Sequence, residues 1–364
     1  MNVLFCSDAM IVDGVTSFVF HLATALKEGG HRVAVLGRWA GKGFQSRLRG
    51  RGVEVISMPS PTVGNFWFDC RAGKFSPDVI VTDSRRSFPL AVRLKAVTGA
   101  RIFTFFLDHL EKTDRRGRDV GSLVRHSDAW LSAEPPILEK LGEIPTPFPK
   151  FLFRRPLTGL IRASPAPPRD PFRVLCFGRL SGYKSAGPLA LLQGAPDLKK
   201  EIPSLEITFV GGGWRAWKFR LLAERINLEA RERFIHIAGT RTDPQPWFDR
   251  STLVCAGSTS AVEAALANRP VLAFSGFWIG HLTPEVMDIA LENYFGERGG
   301  LHYIRESPGL IPEGVLKIHR NWDDLRIEES TARVRTALEP RFMRDEAASE
   351  FSRIFNSLSL NGGL

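Results

Sequence analysis

Apolar residues in this chain fall into short unbroken runs rather than strict alternation. In the first half these are Val3-Leu4-Phe5-Cys6, His31-Arg32-Val33-Ala34-Val35-Leu36, Val53-Glu54-Val55-Ile56, Val79-Ile80-Val81-Thr82 and Arg101–Phe106. The second half repeats the theme with Phe172-Arg173-Val174-Leu175-Cys176-Phe177, Leu205-Glu206-Ile207-Thr208-Phe209-Val210, Phe234-Ile235-His236-Ile237-Ala238, Leu253-Val254-Cys255 and Val271-Leu272-Ala273-Phe274. Helical segments lie between these runs. Strands that are apolar throughout belong to parallel sheets covered on both faces. The pattern predicts an α/β fold of two Rossmann-like β/α/β domains facing a central cleft.

Ser164-Pro165-Ala166-Pro167-Pro168-Arg169-Asp170-Pro171 interrupts the pattern and reads as a stiff linker that joins neither sheet. The expected organisation is therefore an N-terminal domain over 1–163, the linker over 164–171 and a C-terminal domain over 172–340. Residues 327–358 read as strongly helical, and 341–364 is expected to pack back on the N-terminal domain as a C-terminal helix. Met1-Asn2-Val3-Leu4-Phe5-Cys6 reads as a strand that begins at once, which leaves no room for a signal peptide. No apolar run reaches the roughly 18 residues that a membrane span needs.

The formal charge of +10 is uneven: residues 1–165 hold 24 Lys and Arg against 15 Asp and Glu, and residues 166–364 hold 25 against 24. The basic excess of the first half predicts an anionic partner there, such as a membrane surface. Cys6, Cys70, Cys176 and Cys255 show neither metal nor disulfide spacing, and Cys6 and Cys176 read as small buried hydrophobes.

Two segments carry candidate chemistry. Gly178-Arg179-Leu180-Ser181-Gly182-Tyr183-Lys184 follows a buried run and offers two cations. Gly257-Ser258-Thr259-Ser260-Ala261-Val262-Glu263 opens an Ala-rich helix with three hydroxyls and a carboxylate one turn in. Cations and a helix N-terminus suit phosphates. Near the N-terminus, Gly14 lets backbone approach a ligand ahead of a helix that ends at Gly29-Gly30.

These elements, taken in order, resemble family 4-type glycosyltransferases of the GT-B fold. The resemblance rests on Gly14 to Gly30-His31-Arg32-Val33, on Gly178-Arg179-Leu180 with Lys184, and on Phe209-Val210-Gly211-Gly212-Gly213. Ile237-Ala238-Gly239-Thr240 and Glu263-Ala264-Ala265-Leu266-Ala267-Asn268-Arg269-Pro270-Val271 complete it. It implies a nucleotide-diphospho-sugar donor and a lipid-linked or cell-envelope glycan acceptor, with acceptor binding in the N-terminal domain. It also implies hexosyl transfer that needs no metal and no further cofactor, retaining in type, at the inner face of the plasma membrane or in the cytoplasm.

The same resemblance assigns roles. Arg179, Lys184, Gly14, Ser258, Thr259 and Ser260 hold the donor diphosphate, and Glu263 accepts from the ribose hydroxyls. Ala238 and Gly239 lie beside the base. His109, with Asp108, is the expected catalytic pair after the Arg101–Phe106 strand, in the order Asp-His where the family commonly has His-Asp. A further departure is Cys255, which stands where the family carries a first Glu that contacts the donor sugar. A neutral thiol cannot accept two sugar hydroxyls as a carboxylate does. The motif thus speaks for the nucleotide, and the anomeric outcome stays open.

Three stretches mix cations with aromatic or aliphatic residues: 42–51, 148–155 and Trp214-Arg215-Ala216-Trp217-Lys218-Phe219-Arg220. The first two, in the basic half, suit an anionic leaflet. The third reads equally as an exposed face or as a core helix with snorkelling cations. Two rival functions remain. A nucleotide-sugar 2-epimerase-like isomerase shares the architecture but has no use for a basic half. A basic polyanion-binding protein explains the charge but leaves the phosphate segments idle, so nucleic acid is not an expected partner.

Overall fold

The apolar runs form parallel strands. In the computed structural model, which describes residues 1–10, 14–40, 42–57, 75–84, 87–107, 120–165 and 169–360, the chain divides into two compact units. One comprises Met1–Leu157 with Phe342–Leu364, and the other Thr158–Arg341.

The first unit holds a seven-stranded sheet: β1 (Asn2–Met10), β2 (Arg32–Ala40), β3 (Glu54–Ser57), β4 (Val79–Asp83), β5 (Arg101–Phe106), β6 (Ala129–Ser132) and β7 (Lys150–Leu152). Its order is β3-β2-β1-β4-β5-β6-β7 and every pairing is parallel. Leu4, Leu36, Ile80, Ile102 and Trp130 fill the core on one face. The C-terminal helix Ala347–Leu360 belongs to this unit: Phe351 is buried against Phe103 and Phe153, at ring separations of 5.4 and 6.1 Å. Gly29 permits the approach, because a Cβ there would fall 2.1 Å from Ala348 Cβ.

The second unit repeats the plan with β8 (Arg173–Phe177), β9 (Glu206–Val210), β10 (Ile235–Gly239), β11 (Leu253–Ala256), β12 (Val271–Phe274), β13 (Phe277–His281) and β14 (His302–Tyr303). Their order is β10-β9-β8-β11-β12-β13-β14, parallel except for β13 and β14. The α/β class with two Rossmann-like sheets is therefore the observed fold. Both sheets follow the doubly wound order in which the first strand lies centrally and the chain winds outward both ways.

Several details differ from the sequence reading. β6, β7, β13 and β14 are short strands that the apolar runs do not announce. The helical stretch 327–358 is two helices, Ile327–Leu338 and Ala347–Leu360, separated by a turn through Glu339–Arg341. Pro340 lies in that turn, and proline removes the backbone donor that a continuing helix needs. In the basic stretches of the first half Phe44, Leu48, Phe153 and Arg155 are buried, and Phe148 and Phe151 are half-buried. The third stretch divides: its two indoles are exposed, Trp214 at 64% and Trp217 at 55%, while Phe219 is buried.

Candidate functional site

In the second sheet the winding direction reverses between β8 and β11, which pair with Phe177 opposite Ala256. Loops leaving the carboxyl ends of two such strands diverge, and a crevice opens between them. The chain leaves those two strand ends through residues 178–184 and through Gly257 into the helix Ser258–Leu266, so the topology unites the two candidate segments. β9 and β10 end at the same edge. Gly178 N donates to Val210 O at 3.0 Å, Leu180 N to Gly212 O at 2.8 Å, and Gly211 N to Gly239 O at 3.0 Å. A Cβ on Gly211 would fall 1.7 Å from Gly178 O, so only glycine allows this contact. Half-buried Ala238 and Gly239 are thereby tied to the phosphate segment through 211–212.

Glu297 is the centre of the site. Its carboxylate is 9% exposed and lies 2.6 Å from Lys184 Nζ. Tyr183 Oη donates to Oε1 at 2.6 Å, Ser275 Oγ donates to Oε2 at 3.2 Å, and Ser258 Oγ donates to Oε2 as well. Burial works against this charge, yet the Lys184 ammonium and the hydrogen bonds from Lys184, Ser258 and Tyr183 overcome it, holding the pKa down at about 2. On Lys184, burial lowers the pKa, Glu297 raises it, and Arg179 and Arg298 lower it again, for a net fall below the ordinary lysine value. The two shifts are compatible with one ion pair at neutral pH, since a carboxylate at about 2 stays charged and keeps its cation. Burial and then Glu297 push the Tyr183 phenol up, so Tyr183 remains a proton donor.

Backbone geometry aims these groups. Tyr294, Phe295 and Gly296 all take left-handed φ (45°, 54° and 82°), and Gly276 N and Phe277 N both donate to Gly296 O, at 3.1 and 3.0 Å. Ser258 also sits at φ 53°, with its N–H on Phe295 O at 3.3 Å. Such conformations cost about 1–3 kcal/mol each for side-chain-bearing residues and persist where the surroundings over-determine them.

The helix Ser258–Leu266 starts at this point behind Gly257. Thr259 Oγ1 and Tyr294 Oη share a hydrogen bond of 2.8 Å, and Ser260 is half-buried in the same turn. Glu263 follows one turn later and is buried. Arg179 is exposed at the mouth of the preceding loop. The structure thus assembles Arg179, Lys184, Ser258, Thr259, Ser260 and Glu263 around one switch point, with Ala238 and Gly239 alongside. Gly14 begins the helix Gly14–Glu28 in the other unit. Asp108 and His109 lie outside the described residues.

Cys255 is fully buried among the core residues of the sheet, opposite Cys176 in register, and burial raises its thiol pKa. It presents nothing to a ligand. The residue that sequence reasoning missed is Glu297, together with Ser275 and Arg298. One signal was available: a lone carboxylate among glycines in Gly296-Glu297-Arg298-Gly299-Gly300. Among the described residues, no group of three or more His, Cys, Asp or Glu is placed to hold a metal ion.

No protein-family model matches this chain, and no curated protein sequence does. Solved structures do match along its whole length. Anabaena HepE in complex with UDP superposes with a TM-score of 0.66 at 16% identity, over 98% of this chain and 100% of that one. HepE has also been solved with UDP-glucose. A glycosyltransferase from Rickettsia africae gives 0.69 at 14% identity, covering 98% of each chain. Sucrose-phosphate synthase from Thermosynechococcus elongatus gives 0.68 at 14% identity, covering 99% of each.

Proposed function

We propose that this chain is a glycosyltransferase that moves a hexosyl group from a UDP-sugar to a lipid-linked or cell-envelope glycan acceptor. The observation that carries the reading is the meeting of residues 178–184 and 257–263 at the strand-order reversal between β8 and β11. The whole-length likeness to proteins solved with UDP and UDP-glucose supports that choice of donor.

In this reading the diphosphate lies between the Arg179–Lys184 loop and the opening of the helix Ser258–Leu266. Glu297 engages one of the three donors of the Lys184 ammonium and fixes its direction. Arg179 and the helix N-terminus then meet phosphate oxygens. Negative charge grows on the diphosphate as the glycosidic bond breaks. Cations held in place beforehand therefore stabilise the transition state more than the ground state. Arg179 and the helix N-terminus perform the charge neutralisation for which other enzymes use a metal, while Lys184, already paired with Glu297, adds directed hydrogen-bond donors. Glu263 accepts from the ribose, with Ala238 and Gly239 beside the base. Gly14 contributes from the first unit, and His109 with Asp108 acts near the transferred sugar. The acceptor is met on an anionic leaflet at the cytoplasmic face.

Thermal unfolding with and without nucleotides tests the donor. UDP and UDP-glucose are expected to raise Tm by several degrees at saturation, since a ligand of the folded state stabilises it by mass action. Arg179→Ala should abolish the shift. Absence of a shift with both nucleotides would overturn the reading.

A further inference from the structure

The helix Ala216–Ala230 carries an exposed apolar stripe. Among the described residues, nine large hydrophobic side chains are exposed; Trp217 (55%), Leu221 (64%) and Leu228 (77%) lie on this helix, and Trp214 (64%) lies in the turn that leads into it. The three on the helix, spaced four and seven residues apart, fall within about 40° of arc on one face. The opposite face is accounted for, since Phe219, Ala223 and Ile226 are buried in the core of the second unit. Three exposed side chains in one line, with a fourth just ahead of the helix, are therefore not an overflow of the core.

The charge around the stripe selects its occupant. Lys218 and Arg225 project about 40–60° to one side of it, Arg225 lying 3.6 Å from Glu229, and Glu224 projects about 20° to the other. Residues 214–233 hold six Lys and Arg against three Asp and Glu. Both tryptophans carry a cation over the ring: Arg215 lies 4.6 Å from the Trp214 centroid and Lys218 5.4 Å from that of Trp217. Indoles beside basic heads on a helix are the components of an interfacial anchor, with rings at headgroup depth and cations on lipid phosphates. No helix among the described residues is long and apolar enough to cross a membrane, so such a helix would lie on the surface.

We infer that this face, on the second unit, docks the protein onto an anionic lipid bilayer. It rests on the part of the proposed function that brings the chain to a leaflet, and assigns that contact to the stripe instead of the basic first half. The stripe begins immediately after the glycine turn 211–213, and Arg215 Nη1 donates to Ser185 Oγ at 3.2 Å, next to Lys184. Docking here sets the donor loops close to the headgroups, where a lipid-borne acceptor is within reach.

Flotation with vesicles of phosphatidylcholine, alone or mixed with phosphatidylglycerol, tests this on the full chain. The wild type should float with the anionic vesicles, and added salt should weaken the association. Trp214→Ser with Trp217→Ser should cut binding about tenfold or more. Lys218→Glu with Arg225→Glu, which keeps the rings, should do so by a similar factor. The UDP-induced thermal shift should be unchanged in both, which also shows that they fold. Flotation undiminished in both variants would overturn the assignment of this face alone. No flotation of the wild type would overturn the bilayer as partner and this inference with it, while leaving the donor reading to its own test. Wild-type self-association in light scattering that the Trp pair abolishes would mean that a second copy covers the stripe, and would also overturn it.

Discussion

Lys184 Nζ lies 2.6 Å from Glu297 Oε2, so the most buried cation of the phosphate loop is neutralised within the fold. Removing the carboxylate should therefore be felt first in stability. Glu297→Ala leaves an ammonium that is only 26% exposed without its partner and strips Tyr183 and Ser258 of their acceptor. A loss of about 3 kcal/mol is expected in urea unfolding, the scale of a broken buried pair. Glu297→Gln should lose less, because the amide oxygen still accepts.

Acid should reveal the same carboxylate. In the unfolded chain a Glu titrates near its ordinary value of 4.5, and in the folded protein Glu297 titrates at about 2. The unfolded state thus binds the proton first as pH falls. The stability due to Glu297 is complete above about pH 5 and disappears progressively towards pH 2. The difference amounts to about 3 kcal/mol by linkage. Urea unfolding at pH 3 and pH 6 should show a larger drop for the wild type than for Glu297→Gln.

Arg179 and Lys184 look equivalent in sequence but should separate on mutation. Arg179 is exposed, so Arg179→Ala should change stability by no more than about 0.5 kcal/mol while removing the UDP-induced shift in Tm. Lys184→Ala should weaken nucleotide response and stability together, because it strands the Glu297 carboxylate in a buried position. Equal loss of stability in both variants would contradict this division.

Cys255→Glu would restore the carboxylate that the resembling family carries at this point of its motif. The side chain at 255 has no exposed surface and faces the sheet core. The substitution should destabilise by about 4 kcal/mol or more, seen as a large fall in Tm, since a buried charge lacks any partner there. A stable Cys255→Glu protein with tighter binding of UDP-glucose than of UDP would contradict the placement.

The unbroken apolar runs were sufficient for the fold class. A parallel sheet covered on both faces needs strands without polar alternation, and β1, β4, β8 and β11 are built that way. The short strands were not legible. β13 and β14 owe their state to pairing across the sheet edge, as in Phe277 opposite Tyr303, and not to their own composition. The fate of the aromatic residues was equally hidden, because Phe44 and Trp217 stand in similar basic surroundings, yet one is buried and the other exposed.

For the site, spacing after a strand sufficed to nominate Arg179, Lys184, Ser258 and Glu263, because local loop and helix chemistry is written in contiguous residues. The state of Lys184 was not written there. It depends on Glu297, delivered by a loop whose three successive left-handed residues fold it back onto the helix Ser258–Leu266. Charge pairing is a matter of distance in space. Whether a lysine meets a ligand alone or already paired follows from how the chain returns, and no short stretch of sequence holds that information.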